Sequence, residues 1–201
     1  IEDSPYRELR FEEEHLPPVK AFDTEGRVIY LGTFSKTFCP GLRVGWIAAS
    51  PEILRKYALI KQGADLHNNS MAQRELNAFV KKFDYDGHVE KINDAYRTRR
   101  NAMLKTMQQE FPPEITYTMP QGGLFIWVNL PEGCDAADIL QKALENKVAF
   151  VPGEPFFAAN GKKNHFRLNY VTMPEDKIID GITRLGKVLN LFAQTGWKMK
   201  Q

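Results

Sequence analysis

The stretch TFSKTFCPGLR, from Thr33 to Arg43, constrains the fold more than any other. It overlaps the end of RVIYLGTF (Arg27 to Phe34) and precedes VGWIAA (Val44 to Ala49). Both runs are rich in β-formers with little polar alternation, which predicts strands covered on both faces. A turn carrying a lysine and an arginine among hydroxyls and glycine thus stands where two apolar strands meet. Burying an amine there is costly unless it meets a ligand. The surrounding chain must be layered to cover both strands, which points to an α/β architecture.

A length of 201 residues suits one large domain or two small ones. The net charge of +2 is too small to argue for nucleic acid or an anionic membrane surface. No stretch approaches the ~20 apolar residues that span a bilayer. The opening IEDSPYRELRFEEE has neither the basic end nor the apolar core of a signal peptide. Cys39 and Cys134 make no disulfide framework and lack metal-ligand spacing. A reducing cytoplasm is therefore expected, with no nucleic-acid, membrane or metal partner. The chain begins with Ile1, inside what reads as a strand end, and is expected to be part of a longer protein.

Residues 1–11 read as a strand end and a loop, followed by an acidic, proline-bearing connection with a turn at Asp23 to Gly26. Ser50, Pro51 and Glu52 predict a helix start, with the helix running to about Gly63. A second helix is expected over 64–83. Asp86 and Gly87 read as a break, and His88 to Glu110 as one long helix ended by Phe111-Pro112-Pro113. Strands over 115–119 and 124–130 are joined by a hairpin-like turn at Pro120 to Gly123. A short helix over 135–146, capped by Cys134 or Asp135, is followed by strands over 148–151 and 165–170. Thr172 to Glu175 resembles a capping box. It opens a helix with Ile178, Ile179, Ile182, Leu185 and Leu189 on one side. The front is an α/β layer, the back a small α+β unit with an antiparallel sheet, and the long helix joins them.

Four places carry candidate chemistry. Lys36 is either a surface or phosphate-contacting lysine, or an amine that condenses with an aldehyde whose phosphate rests on Thr33, Ser35 and Arg43. Asp3 and Tyr6 are either turn residues or a carboxylate for a protonated ring nitrogen and a phenol for a ring oxygen. Arg167, inside an apolar strand, either forms an internal salt bridge or takes a substrate carboxylate in bidentate fashion. Gln121-Gly122-Gly123 is a hairpin turn, or a place where backbone approaches a ligand.

In this order the residues resemble the C-terminal half of the class I/II pyridoxal-phosphate aminotransferases, which have the aspartate-aminotransferase fold. The likeness is greatest to the bacterial and archaeal branch acting on 2-aminoadipate and on aromatic or other bulky amino acids. In that branch Asp-Asp-Pro-Tyr precedes Leu-Arg-Phe, and Ser-Phe-Ser-Lys-Thr is followed by Pro-Gly-Leu-Arg. Here Asp3-Ser4-Pro5-Tyr6 precedes Leu9-Arg10-Phe11, and Thr33-Phe34-Ser35-Lys36-Thr37 is followed by Pro40-Gly41-Leu42-Arg43. PQGGLFIWVNLP, VAFVPGEPFF and FRLNYV extend the likeness over essentially the whole chain. Ser4 departs from the usual second Asp, and Thr33 from the commoner Ser.

The resemblance implies an α/β fold comprising the C-terminal part of a pyridoxal-phosphate-dependent transferase. Residues 1–87 would complete a large, mainly parallel-sheet cofactor domain, 88–110 would be a connecting helix, and 111–201 a small α+β domain. It implies pyridoxal 5'-phosphate as cofactor, with an amino acid and a 2-oxo acid as substrates of a transamination. Lys36 would hold the cofactor's aldehyde end and shuttle the proton. Asp3 would hold the ring nitrogen and Tyr6 the ring oxygen. Ser35 and Arg43, with Thr33, would hold the phosphate, and Arg167 the substrate carboxylate. It further implies a homodimer and a missing N-terminal half that carries the rest of the cofactor cage, so the fragment alone is expected to be inactive. Two alternatives share these residues: the effector domain of a GntR-type transcriptional regulator, and a related lyase using the same cofactor.

Overall fold

The computed structural model describes residues 1–12, 16–159 and 161–197; Glu13–His15 of the acidic connection lie outside the described residues. The chain divides into two compact units, Ile1–Asn93 and Asp94–Gln201. Strand β1 (Glu2–Asp3) pairs parallel with β2 (Tyr30–Thr33), and β2 pairs antiparallel with β3 (Gly45–Ala48). Asp3 stands opposite Leu31, and Thr33 opposite Gly45.

The expectation of two-sided cover on these strands is not met among the described residues. Trp46 stacks on Tyr30 at 5.1 Å yet stays 44% exposed, and helix α1 (Pro51–Ala64) buries none of its residues. Apolar composition marks a face that is to be covered; it does not say by what.

Helix starts follow their caps. Ser50 is extended with Pro51 at the first position and Glu52 in the first turn, although the Ser50 hydroxyl makes no capping bond. Helix α2 (Ser70–Lys82) begins later than expected, where the Asn69 carboxamide accepts the Met71 and Ala72 N–H groups. Helix α3 (Tyr85–Glu110) begins earlier than expected. Gly87 does not break it: the Asp84 carboxylate accepts the Gly87 N–H at 3.0 Å, and a Cβ at Gly87 would lie 2.3 Å from that carboxylate. The glycine makes room for the cap.

In the C-terminal unit, β4 (Thr116–Tyr117), β5 (Phe125–Asn129), β6 (Val151–Pro152) and β7 (His165–Asn169) form an antiparallel sheet in the order β4-β5-β7-β6. Alternate residues are buried: Ile126 and Val128 on β5, Phe166 and Leu168 on β7. Ile139 and Ala143 of α4 (Ala136–Glu145), and Ile178, Ile182, Leu185 and Leu189 of α5 (Glu175–Gln194), join them in the core. Each large side chain so buried contributes roughly 1.5–3 kcal/mol. Ile179, expected on the same side of α5, is exposed. Asp135 caps α4 through the Ala137 N–H. The expected capping box at α5 does not form, because the Thr172 hydroxyl turns to Asn169 Oδ1 at 2.8 Å and Pro174 precedes the helix. No helix among the described residues is long and apolar enough to cross a membrane.

The turn before β2 hangs on Asp23, whose side chain is 3% exposed. It accepts Lys20 Nζ at 2.8 Å and the N–H groups of Glu25, Arg27 and Val28. The Lys20 hydrogen bond, then the backbone donors, hold its carboxyl well below the ordinary value. A depressed folded pKa contributes stability that is complete above the unfolded pKa and is lost as pH falls through the folded one. Thermal melts between about pH 2 and pH 7 should therefore show Asp23→Asn less stable than wild type near neutrality, with the gap closing below about pH 4. A gap that stays constant across that range would contradict the role given to this carboxylate.

Candidate active site

Strand direction decides where the candidate residues of the N-terminal unit fall. β1 and β2 are parallel, so Asp3 at the end of one and Thr33 at the end of the other mark the same sheet edge. β3 is antiparallel and starts opposite Thr33, so Arg43 returns to that edge. Ligands of open α/β sheets bind outside the carboxyl ends of the strands. Asp3, Tyr6, Thr33, Ser35, Lys36 and Arg43 all belong to this edge or to the loops leaving it.

Asp3 is exposed, and its carboxylate makes no hydrogen bond or ion pair among the described residues. The loop after it is pinned by Leu9, which is 1% exposed and donates its N–H to Tyr6 O, and by Asn93, whose carboxamide donates to Glu8 O. Lys36 Nζ stands 6.0 Å from the centroid of the Tyr6 ring. Lys36 is half-buried rather than buried, and its amine likewise bonds to no described residue. It stands on a turn in which the N–H groups of Phe38 and Cys39 both meet Phe34 O. The buried position of that turn is taken by Thr37, 1% exposed.

Thr33 Oγ1 lies 2.9 Å from Ser35 Oγ and 3.2 Å from Val44 O, and accepts the Ser35 N–H at 3.1 Å. The Thr33 hydroxyl is thus spent within the turn, where it holds Ser35. Arg43 adopts a left-handed backbone (φ 54°), uncommon for a residue with a side chain, and its guanidinium donates to Pro40 O at 3.2 Å. Such strain is kept where the neighbouring structure requires it.

Arg167 belongs to the other unit. The register of β5 and β7 sets it opposite Trp127, on the sheet face away from Phe166 and Leu168. Its guanidinium carbon lies 3.9 Å from the Phe125 ring centroid and 4.4 Å from that of Phe156. The internal salt bridge is not formed among the described residues, and Arg167 Nε is buried without a hydrogen-bond acceptor. With Phe125, Phe150 and Val151 it lines a cavity of about 150 Å³. A planar guanidinium packed on aromatic rings keeps its N–H groups available in the plane, and two parallel hydrogen bonds from such a fork suit a carboxylate.

Several supporting residues escape a reading by residue type. Tyr85 and His88 of α3 both bond Thr37. Tyr170, fully buried, sets its hydroxyl 3.0 and 2.7 Å from the carbonyl oxygens of Gly122 and Gly123, and Arg100, 4% exposed, donates to Pro120 O at 2.6 Å. Gly123 has φ +78°, so the Gly-Gly pair is a turn that needs its glycine. Treating Asp84 as an N-cap would have placed Tyr85 and His88 on one face of a helix start.

A family model described as aminotransferase class I and II matches residues 2–185, and the chain belongs to that family. Aromatic-amino-acid aminotransferase 1 of Thermococcus litoralis is 48% identical over 94% of this chain and 45% of its own length. The crystal structure of LysN, an alpha-aminoadipate aminotransferase from Thermus thermophilus complexed with N-(5'-phosphopyridoxyl)-L-leucine, superposes with a TM-score of 0.92 at 42% identity. That match covers 96% of this chain and 50% of the other. YdfD, an uncharacterised HTH-type transcriptional regulator of Bacillus subtilis, is 31% identical over 96% of this chain and 40% of its own length. The chain spans about half the length of the curated relatives it matches.

Burial pushes the Tyr170 phenol above its ordinary range, so it stays protonated, a donor to the Gly-Gly turn, near neutral pH. Tyr170→Phe leaves those carbonyls without it. Urea titration should show a loss of about 1–3 kcal/mol with an unchanged slope; an unmoved midpoint would count against this anchor.

Proposed function

We propose that this chain is the C-terminal half of a pyridoxal-phosphate-dependent aminotransferase that moves an amino group from an amino acid to a 2-oxo acid. One observation carries the reading beyond family membership: the turn bearing Lys36 leaves the same sheet edge as Asp3, with the amine 6.0 Å from the Tyr6 ring, and Ser35 and Arg43 belong to the same loop. The donor set fits the cofactor. An amine and a carboxylate without described bonding partners suit an aldehyde and a cationic ring nitrogen. Hydroxyl and guanidinium donors at the same edge suit a phosphate.

Bound pyridoxal 5'-phosphate supplies an aldehyde that takes up amino groups and a cationic ring that draws electrons from the carbon they carry. Lys36 would hold the aldehyde end, and its amine would take the proton from the substrate's Cα. Asp3 keeps the ring nitrogen protonated, and Tyr6 bonds the ring oxygen. Ser35, steadied by Thr33, and Arg43 bind the phosphate. Arg167 takes the substrate α-carboxylate, which would give its buried Nε and its two outer nitrogens an acceptor.

The complete protein supplies the other half of the cofactor site and acts as a homodimer. The apolar surface left exposed by Trp46, Tyr57, Ile60 and Leu66 supports a further chain segment or a second subunit against the N-terminal unit. The free thiols of Cys39 and Cys134 support a reducing, cytoplasmic setting. The likeness to YdfD favours a second reading, an effector domain behind a DNA-binding segment; the relative at 48% identity puts the enzyme ahead of it.

Turnover of the complete protein with an amino acid and 2-oxoglutarate tests the assignment. Lys36→Ala should lose on the order of 10²–10⁴-fold in kcat or more, since it removes the general base. Turnover retained at the wild-type level would refute the role of Lys36.

A further inference from the structure

We propose that Tyr85 and His88, at the start of α3, are positioning residues that set the Lys36 amine by gripping Thr37. This rests on the reading of Lys36 as the reactive lysine.

Thr37 directly follows Lys36 and is held at two points. Tyr85 donates its hydroxyl to Thr37 Oγ1 at 2.8 Å, which fixes the threonine side chain. His88 Nε2 lies 3.1 Å from Thr37 O, which fixes the peptide plane. A carbonyl only accepts, so Nε2 carries the proton. Tyr85 and His88 are three residues apart in a helix and therefore share a face. Burial raises the phenol pKa of Tyr85, with Glu8 and Asp86 adding to the rise, which keeps it a donor.

The grip is backed by rings. Phe34 meets Tyr85 edge-on at 6.2 Å, and Phe79 of α2 meets both Phe38 at 4.3 Å and His88 at 5.4 Å. The two residues flanking the turn's polar centre are thus packed, and the turn closes on itself through Phe34 O. With residues 34, 37 and 38 fixed, the Lys36 backbone has little freedom, and its side chain is the mobile part. A lysine that must reach an aldehyde and then a substrate carbon needs a fixed root, because a displacement of about 1 Å in a reacting group costs on the order of a hundredfold in rate.

Two readouts on the complete protein test this. Hydrogen exchange reads the grip without cofactor or substrate. In Tyr85→Phe/His88→Phe, which keeps the rings and removes both donors, the amides of Phe38 and Cys39 should exchange about tenfold faster or more, while those of Val128 and Leu168 keep wild-type protection. The same variant should lose about tenfold or more in kcat, with KM for the amino acid within about threefold. His88→Gln with Tyr85 unchanged, whose amide nitrogen can take the place of Nε2, should keep most of the wild-type protection and most of the wild-type kcat. Unchanged exchange at Phe38 and Cys39 overturns the grip. Faster exchange with unchanged kcat overturns the positioning role and leaves a purely structural contact. Loss of turnover in Lys36→Ala together with either result would fault the clamp and leave the assignment of Lys36 intact.

Discussion

Two steps of parallel pairing, Glu2 with Tyr30 and Asp3 with Leu31, determine what the N-terminal unit can do. Side chains far apart in sequence reach a common edge only because both strands end there. Had β1 run the other way, Asp3 would lie at the opposite end from Lys36. The antiparallel return of β3 then brings Arg43 back across from Thr33. Strand direction is a backbone property, set by ladder hydrogen bonds such as Ser4 N–H to Leu31 O at 3.1 Å. The chemistry is therefore built on the backbone ladder before any side chain is considered.

The C-terminal unit uses the other property of a sheet, its two faces. Period-two alternation on β5 and β7 turns Ile126, Val128, Phe166 and Leu168 into the core. The intervening positions present Phe125, Trp127 and Arg167 to the other side. The aromatic neighbours hold the guanidinium without neutralising it. An acid in their place would leave an ion pair and no room for a carboxylate ligand. The same chain thus keeps three charged groups, Asp3, Lys36 and Arg167, free of ion pairs among the described residues. Of the three, only Arg167 holds a buried polar atom without an acceptor, its Nε, and such an atom is costly to leave unpaired.

Much of this was legible in the sequence where a local signal and a tertiary need agree. Ser50-Pro51 opens a helix, Asp135 caps another, and the β-rich runs around Lys36 and Arg167 form strands. The candidate residues were legible because their order and spacing resemble a known family. Failures came where a side chain served something other than its commonest local role. Gly87 looked like a breaker and is the space for the Asp84 cap. Thr172 looked like a cap and is drawn to Asn169. Tyr85, His88 and Tyr170 bond residues 48, 51 and 47 positions away, respectively. No window of sequence reveals such partners. Surface exposure of α1 was equally invisible, since composition says that a face is apolar and not whether a neighbour covers it.

The proposed activity requires that the ε-amine of Lys36 be the group that meets the cofactor's aldehyde. Reducing the complete protein with borohydride after loading it with pyridoxal 5'-phosphate, and mapping the modified peptide, tests this directly. One stable pyridoxyl group per chain is expected, on the peptide containing Ser35-Lys36-Thr37. A label on another lysine, or label spread over several exposed lysines with Lys36 unmodified, would contradict it.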